Sequence, residues 1–143
     1  MEFVRFLEWE ELIALHDEQL RVYGGAVGFV DENTVRSVMA RAQFTSQYVE
    51  DADVADLAAD YLFGFATTQG FCDGNKRTAV VAAERFLAKN GWRTVMTAKL
   101  MYIVAIGVAR GELDQPGLAE ILRTHMEEYD PPGEAQEETQ RPS

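Results

Sequence analysis

The sequence predicts an all-α fold, a compact bundle of about six helices. Apolar residues recur at three- and four-residue steps in most segments, which is the spacing of one face of a helix. Residues typical of helix starts and helix ends separate these segments. One segment, residues 75–90, is apolar on nearly every side, as expected of a helix surrounded by others. The chain has 143 residues, 47% of them apolar, and we predict one domain at residues 1–129.

The first half of the chain predicts three elements after a short extended stretch at residues 3–7. The first helix spans residues 8–23 and ends at Gly24-Gly25; its stripe comprises Trp9, Leu12, Ile13, His16, Leu20 and Tyr23. Asp31 is the expected N-cap of a second helix, which runs to about residue 42. Residues 43–50 are β-like in composition without helical spacing, so we expect a loop or small hairpin there.

The second half predicts four more helices. The third begins after Asp51 or Asp53 and runs to about residue 69, and the central helix 75–90 follows. A short β-prone connector at residues 92–96 precedes a helix at residues 98–110. The last helix starts near Pro116 and extends to Met126. Residues 130–143 contain almost no apolar side chains and are expected to be an acidic, disordered tail.

Charge and cysteine content exclude several classes of protein. The formal net charge is −11 and the pI is near 4.5, which argues against an extended nucleic-acid-binding surface. The single cysteine, Cys72, excludes an internal disulfide and any cysteine-based zinc pattern. We see no basic and apolar leader and no apolar run of membrane-spanning length, so we expect a cytoplasmic protein without a membrane partner.

Residues 70–78, Gly-Phe-Cys-Asp-Gly-Asn-Lys-Arg-Thr, interrupt two apolar helical segments and predict a binding site. Asp73 and Gly74 are typical of a helix start, so Lys76 and Arg77 fall in the first turn of the next helix. The dipole and the free N–H groups of that turn favour an anion, whereas two cations there oppose the dipole. A bound phosphate would account for their presence.

Each of these residues also has a purely structural interpretation. Asp73 is either a helix N-cap or a ligand for Mg²⁺ shared with phosphate oxygens, and one carboxylate can serve both purposes. Gly74 and Asn75 are either turn residues or part of a backbone nest around a phosphate. Lys76 and Arg77 are either solvated surface charges or a phosphate clamp, and we favour the clamp because the residues that follow are apolar. The stretch lacks the Walker A pattern, so the residues alone indicate an anion site without defining a reaction.

Residues 71–79 resemble the core motif of the Fic/Doc family, His-x-Phe-x-(Asp/Asn/Glu)-(Gly/Ala)-Asn-(Gly/Lys)-Arg. With Lys76 the motif resembles that of the death-on-curing (Doc) branch, whereas glycine at this position is typical of the adenylyl-transferring Fic enzymes. The second arginine of many Fic proteins is replaced by Val80. Outside the motif, residues 15–17, 23–25, 28, 86–87 and 90–93 are also similar to Doc-like chains. The resemblance therefore covers about residues 3–126.

The resemblance implies a helical bundle in which the motif joins two central helices and Mg-ATP binds at the helix start. For Doc-type toxins it implies phosphoryl transfer to a hydroxyl of elongation factor Tu, and neutralisation by a cognate antitoxin. It further implies that Asp73 holds the metal, that Gly74 and Asn75 hold phosphate, and that Lys76 and Arg77 clamp the nucleotide. Phe71 is expected to anchor the loop in the core, and a flap that aligns the target peptide is expected at residues 43–50.

The sequence departs from the family pattern at Gln69, which stands where the family has its histidine base. A glutamine amide can orient a hydroxyl but cannot accept its proton near neutral pH. Neither His16, on the apolar stripe of the first helix, nor His125, near the end of the last helix, is expected to replace the base. Gln69 is compatible with an attenuated enzyme, with a non-catalytic binding protein and with an engineered substitution. Adenylyl transfer is a further alternative to phosphoryl transfer.

Overall fold

Helices account for most of the residues that the computed structural model describes, residues 3–130. These residues form six α-helices and two short strands: α1 (Trp9–Tyr23), α2 (Glu32–Tyr48), α3 (Val54–Thr67), α4 (Asn75–Lys89), β1 (Trp92–Thr94), α5 (Ala98–Ala109), α6 (Gln115–Thr124) and β2 (Met126–Glu128). The all-α prediction is confirmed. The predicted tail lies, apart from Asp130, outside the described residues.

Helices α3 and α4 form the centre of the bundle. They pack against each other, and α3 also contacts α2, α5 and α6 while α4 contacts α1 and α5. The largest fully buried side chains come mainly from these two helices and the faces packed on them, and they include Leu12, Tyr61, Phe65, Phe86, Met101 and Leu118. Burial raises the pKa of Tyr61 to about 12, and its hydroxyl accepts a hydrogen bond from the backbone N–H of Leu7 (3.2 Å). Helix α4 is therefore central, as its apolar sequence predicts.

Capping residues set most of the helix starts where the sequence predicts them. The Asp31 carboxylate accepts a hydrogen bond from the backbone N–H of Asn33, and Asp53 forms a capping box with Asp56 at the start of α3. Of the two candidates for that cap, the structure therefore selects Asp53. Helix α3 ends at Thr67, so the predicted end near residue 69 is two residues too late.

The loop or hairpin predicted at residues 43–50 is wrong, because α2 continues without a break to Tyr48. Phe44 and Tyr48 lie four residues apart on the helix, and their exposed rings contact each other with centroids 4.6 Å apart. Such a pair stabilises a helix, and Ala42 is fully buried in the same helix. Packing thus overrides the β-like composition of the segment, and the flap expected there is absent from residues 43–48.

A two-stranded antiparallel ribbon joins the connector after α4 to the segment after α6. Trp92 pairs with Glu128 and Thr94 with Met126. The β-prone connector is confirmed, whereas the last helix ends at Thr124 rather than at Met126. Backbone pairing with β1 accounts for the difference, because it takes Met126 out of the helical path.

Ion pairs fix the outer helices onto the central pair. Glu11 of α1 contacts Arg85 (2.7 Å) and Lys89 (2.8 Å) of α4, and Arg123 of α6 contacts Asp53 (2.7 Å) at the start of α3. The Glu11 pairs hold the start of α1 on the end of α4. At the opposite ends of the two helices Tyr23 contacts Arg77, so the end of α1 lies beside the start of α4, where the predicted site lies. In residues 3–130 no helix combines the length and apolarity required to cross a bilayer.

Candidate functional site

The loop between α3 and α4 carries the predicted site, and Phe71 anchors it in the core. The Phe71 side chain is buried and stacks on the rings of His16 (3.7 Å between centroids) and Phe29 (5.4 Å). Phe71 also forms an antiparallel bridge with Phe29, and Cys72 donates its N–H to the Gly28 carbonyl (3.0 Å). The loop therefore rests on the core from one side and on residues 28–29 from the other, as expected for the anchoring role of Phe71.

The Asn75 side chain closes the loop on itself. Its Oδ1 accepts a hydrogen bond from the N–H of Phe71 (3.1 Å), and its Nδ2 donates to the Phe71 carbonyl (3.0 Å). Both ends of the amide are thus used within the loop. Phosphate binding by Asn75, which stays a prediction, would have to involve its backbone N–H or a rearrangement of these bonds.

Helix α4 begins without a side-chain cap. Its N-cap is Gly74, whose φ of 81° lies in the left-handed region that favours glycine. Within the described residues the backbone N–H groups of Asn75, Lys76 and Arg77 have no hydrogen-bond partner, because the first bond of the helix runs from Thr78 to Gly74. Three free donors at the positive end of a helix form an anion site.

Asp73 does not cap this helix, so that structural interpretation is wrong. Its Oδ2 instead accepts a hydrogen bond from the N–H of Ala26 (2.6 Å), just after the end of α1. Gly25 leaves room for this contact, since a Cβ there would lie 2.9 Å from the Asp73 Cβ. The Asp73 carbonyl accepts a hydrogen bond from Nε2 of His16 (2.8 Å). Oδ1 makes no hydrogen bond to any described residue, and the exposed carboxylate is fixed by its other oxygen.

The two cations of the motif lie on the same side of the loop as Asp73. Lys76 is exposed, whereas Arg77 is half-buried between two aromatic rings. Its guanidinium carbon lies 3.6 Å from the ring centroid of Tyr23 and 4.3 Å from that of Tyr102. The prediction that Tyr23 belongs to the core stripe of α1 is therefore wrong, because its exposed ring covers Arg77 instead.

Gln69 lies on the exposed rim of the same cleft, between the end of α3 and the loop. Its amide makes no hydrogen bond within residues 3–130, so it is free to contact a ligand. His16 is buried and must carry its proton on Nε2 to donate to the Asp73 carbonyl, which confirms its interpretation as a satisfied core histidine. His125 caps the end of α6 and does not line the cleft. Neither histidine lines the cleft, so neither is placed to act as a base there.

These side chains surround an open cleft of about 960 Å³. Lys76, Arg77 and Arg110 supply three positive charges to its wall, and Asp73 supplies one carboxylate. In a chain of net charge −11 this cluster gives a local reversal of sign, which favours an anion. The remaining lining residues come from the loop and from the ends of α1, α3 and α5, and they include Gln19, Gly24, Thr67, Thr68, Cys72 and Ile106.

The donor set fits a phosphate-bound metal better than a metal held by protein alone. Within residues 3–130 no group of three or more His, Cys, Asp or Glu side chains is arranged to hold a metal ion. Asp73 provides one carboxylate with a free oxygen beside the uncapped start of α4. Mg²⁺ is commonly bound in this way, through one or two carboxylates together with substrate phosphates and water.

Sequence reasoning identified the motif but missed the residues that position it. Ala26, Tyr23 and Tyr102 contact motif side chains, and Arg110 adds a third cation to the cleft. The glycines after Tyr23 were a usable signal, because they bring the chain sharply round at the end of α1. Nothing in the sequence pairs Tyr102 or Arg110 with a motif some 30 residues away.

Comparison with known proteins agrees with this geometry. The model of the Fic/DOC family matches residues 6–87, which include α1 to α3, the loop and most of α4. A curated relative, Protein kinase doc of Escherichia phage P1, is 36% identical over 120 residues, which cover 84% of this chain and 94% of the relative. The matches include the helices that build the cleft and the loop that carries its charges, and on these grounds the chain belongs to the Fic/DOC family and to its Doc branch.

Proposed function

We propose that this protein is the toxin of a type II toxin–antitoxin pair and transfers a phosphoryl group from Mg-ATP to a hydroxyl of a translation factor. The observation that carries the proposal is the uncapped start of α4, where free N–H groups, two motif cations and the Asp73 carboxylate face one cleft. The similarity to a protein named as a kinase supports phosphoryl transfer. We also infer a cytoplasmic location, where such a target and ATP are found together.

The residues of the cleft have separate tasks in this proposal. The N–H groups of residues 75–77 bind phosphate oxygens, while Lys76 and Arg77 offset their negative charge. Asp73 would hold Mg²⁺ through its free oxygen, and the N–H of Ala26 keeps that carboxylate in place. Bound Mg²⁺ would neutralise charge on the transferred group. Positioning and charge stabilisation account for most of phosphoryl-transfer catalysis, so this site retains its main contributions.

Gln69 limits the rate in this proposal. Transfer forms a bond between the target oxygen and phosphorus, breaks the bond to the bridging oxygen of ADP and releases the hydroxyl proton. The Gln69 amide can hydrogen-bond the hydroxyl but cannot take that proton, which must pass to water or to a phosphate oxygen. Loss of a general base typically costs a factor of about 10² to 10⁴ in rate. We therefore propose an attenuated enzyme.

The target segment would lie along residues 26–30. This segment is irregular, bridges the loop at Phe29 and exposes Val27 (79%) and Val30 (62%). It directly follows Gly24 and Gly25, which line the charged cleft, whereas residues 43–48 are helical. An extended peptide that contacts this segment would bring a hydroxyl towards Gln69 and the start of α4. An elongation factor Tu-like protein is the proposed target, and a cognate antitoxin is the proposed partner.

A second candidate function is nucleotide or partner binding without catalysis, and Gln69 is the observation that favours it. The test is incubation with purified elongation factor Tu, Mg²⁺ and ATP labelled at either the α- or the γ-phosphate. Label transferred only from the γ-position supports the proposal, and label transferred from the α-position indicates adenylyl transfer. No transfer at a sensitivity covering a ten-thousand-fold loss, from protein that still binds ATP, supports the binding function.

Binding itself is tested by calorimetry with Mg-ATP. We expect Asp73→Ala to weaken binding in the presence of Mg²⁺ and Arg77→Ala to weaken it with or without the metal. Arg93→Ala is the matched control, because Arg93 is an exposed cation on β1 that pairs with Glu127 and does not line the cleft. Equal affinities in all three variants would contradict the assignment of the cleft as the nucleotide site.

A further inference from the structure

Two tyrosines from distant parts of the chain enclose the Arg77 side chain. Tyr23 is the last residue of α1, and Tyr102 lies in the second turn of α5. Their ring centroids lie 3.6 and 4.3 Å from the guanidinium carbon, well inside the range of cation–π contacts. Tyr23 is 58% exposed, so its ring lies on the surface without a core to fill. Covering Arg77 is the contact that accounts for its position.

The rings restrict how Arg77 can donate hydrogen bonds. A guanidinium group is planar and all five of its N–H donors point outward in that plane. Rings that cover its faces leave these edges open, and the edges are where phosphate oxygens bind in pairs. Within residues 3–130 no carboxylate forms an ion pair with Arg77. The group is therefore oriented without being neutralised.

Arg123 shows the alternative way in which this chain fixes an arginine. Its guanidinium donates to Asp53 (2.7 Å) and Asp56 (3.0 Å), so its charge and its donors are both used within the fold. An ion pair of this kind at Arg77 would compete with an anionic ligand for the N–H donors of the guanidinium. Glu84 lines a neighbouring groove together with Arg77, yet it forms no ion pair with it in the described structure, and burial raises the pKa of its carboxyl.

We propose that Tyr23 and Tyr102 are positioning residues that hold the guanidinium of Arg77 edge-on to the phosphates of the nucleotide. The inference rests on the proposed nucleotide site and adds two residues to it that lie outside the motif. It requires the faces of the rings rather than their hydroxyls, which make no hydrogen bond to any described residue. Phenylalanine should therefore serve as well as tyrosine at both positions, and leucine should not.

The test compares Tyr102→Leu and Tyr23→Leu with Tyr102→Phe and Tyr23→Phe in the full chain. Calorimetry measures the affinity for inorganic tripolyphosphate and for Mg-ATP, and thermal unfolding verifies that each variant is folded. We expect each leucine variant to bind both probes about threefold to tenfold more weakly, and each phenylalanine variant to bind them as the wild type does. In an Arg77→Ala background the leucine substitutions should have no further effect, because they act through Arg77.

A spectroscopic measurement separates positioning from general stability. The ¹⁵N–¹H signal of the Arg77 Nε should show the ring-current shift of a group between two aromatic faces, and Tyr102→Leu should reduce that shift. The inference would be overturned if the phenylalanine variants bound the probes as weakly as the leucine variants. It would also be overturned if the leucine substitutions weakened binding further in the Arg77→Ala background. Wild-type protein that binds neither probe would overturn it together with the nucleotide site. Wild-type protein that binds tripolyphosphate but transfers no phosphoryl group would refute only the proposed reaction.

Discussion

Supplying a general base with Gln69→His gives the sharpest test of the proposed reaction. Gln69 is exposed on the rim of the cleft and makes no hydrogen bond within the described residues, so its replacement removes no contact that stabilises the fold. We expect the free energy of unfolding to change by less than about 0.5 kcal/mol, as for an ordinary surface substitution. Any large change in activity would then come from chemistry rather than from stability.

The expected magnitude follows from the groups that are already present. The free N–H groups of α4, Lys76, Arg77 and Asp73 supply positioning and charge stabilisation in both proteins. The substitution adds only a group that can take the hydroxyl proton, so the rate of transfer should rise by a factor of about 10² to 10⁴. This factor corresponds to about 3 to 5 kcal/mol of activation free energy. Affinity for Mg-ATP should stay within about twofold of the wild type, because the nucleotide contacts do not change.

The assay is label transfer from γ-labelled ATP to elongation factor Tu, with growth arrest on expression as a second measurement. The rate of the Gln69→His protein should rise with pH through about 6.5, the ordinary pKa of histidine, whereas the wild type should lack this limb. Gln69→Ala is the control, since it removes the amide without adding a base and should not accelerate transfer. Equal rates for the histidine and alanine variants would refute the reasoning, and so would unchanged toxicity of the histidine variant.

Two further predictions concern the fold around the site. Gly25→Ala should destabilise the protein by about 1 to 3 kcal/mol, because the φ of Gly25 is 128° and the new Cβ would lie 2.9 Å from the Asp73 Cβ. Gly24→Ala should cost only about 1 kcal/mol, because Gly24 has a φ of 79° and open space around it. Equal losses of unfolding free energy in urea would contradict the close packing of Gly25 on Asp73. The hydrogen-bonded Arg123 guanidinium lowers the pKa of Asp53 to about 2. Because the pKa of Asp53 is lower in the folded than in the unfolded state, its ion pair with Arg123 stabilises the fold fully above about pH 5, and this stabilisation disappears as the pH falls towards 2. The Asp53 side chain is 46% exposed, so we expect the free energy of unfolding to fall by only about 1 kcal/mol over this pH range. The same acid titration of Arg123→Ala should lack that fall in stability.

The helices could be predicted from the sequence because their signals are local. Asp31 and Asp53 precede their helices directly, and the glycine or asparagine residues at the helix ends allow the turns that follow. The exception is the end of α2, where Phe44 and Tyr48 suggested a strand. Their side chains contact each other only once the segment is helical, and that stabilisation is invisible in a composition of aromatic and β-branched residues.

The site could be predicted only as far as its own loop. Gly74 and Arg77 predicted an anion site, because a glycine and a cation at a helix start are both suited to binding an anion at the free N–H groups there. The behaviour of Asp73 could not be anticipated in the same way. Its local sequence predicts a helix cap, and its carboxylate is fixed in another position because the N–H of Ala26, 47 residues earlier, reaches it in the folded chain. Asn75 likewise turned back onto the loop, a choice that depends on how tightly the loop closes.

The contacts of α1 and of the turn after it support the proposal that nucleotide binding does not depend on Gln69. Helix α1 and the turn after it position the carbonyl of Asp73 through His16, its carboxylate through Ala26 and the guanidinium of Arg77 through Tyr23. None of these contacts involves Gln69, so the change at that position leaves the binding apparatus intact. Binding and the rate of transfer should therefore be separable: substitutions at the end of α1 should weaken nucleotide binding, whereas substitutions at Gln69 should alter only the rate of transfer. A Gln69 variant that lost Mg-ATP binding would show that the two are coupled and that this division of labour is wrong.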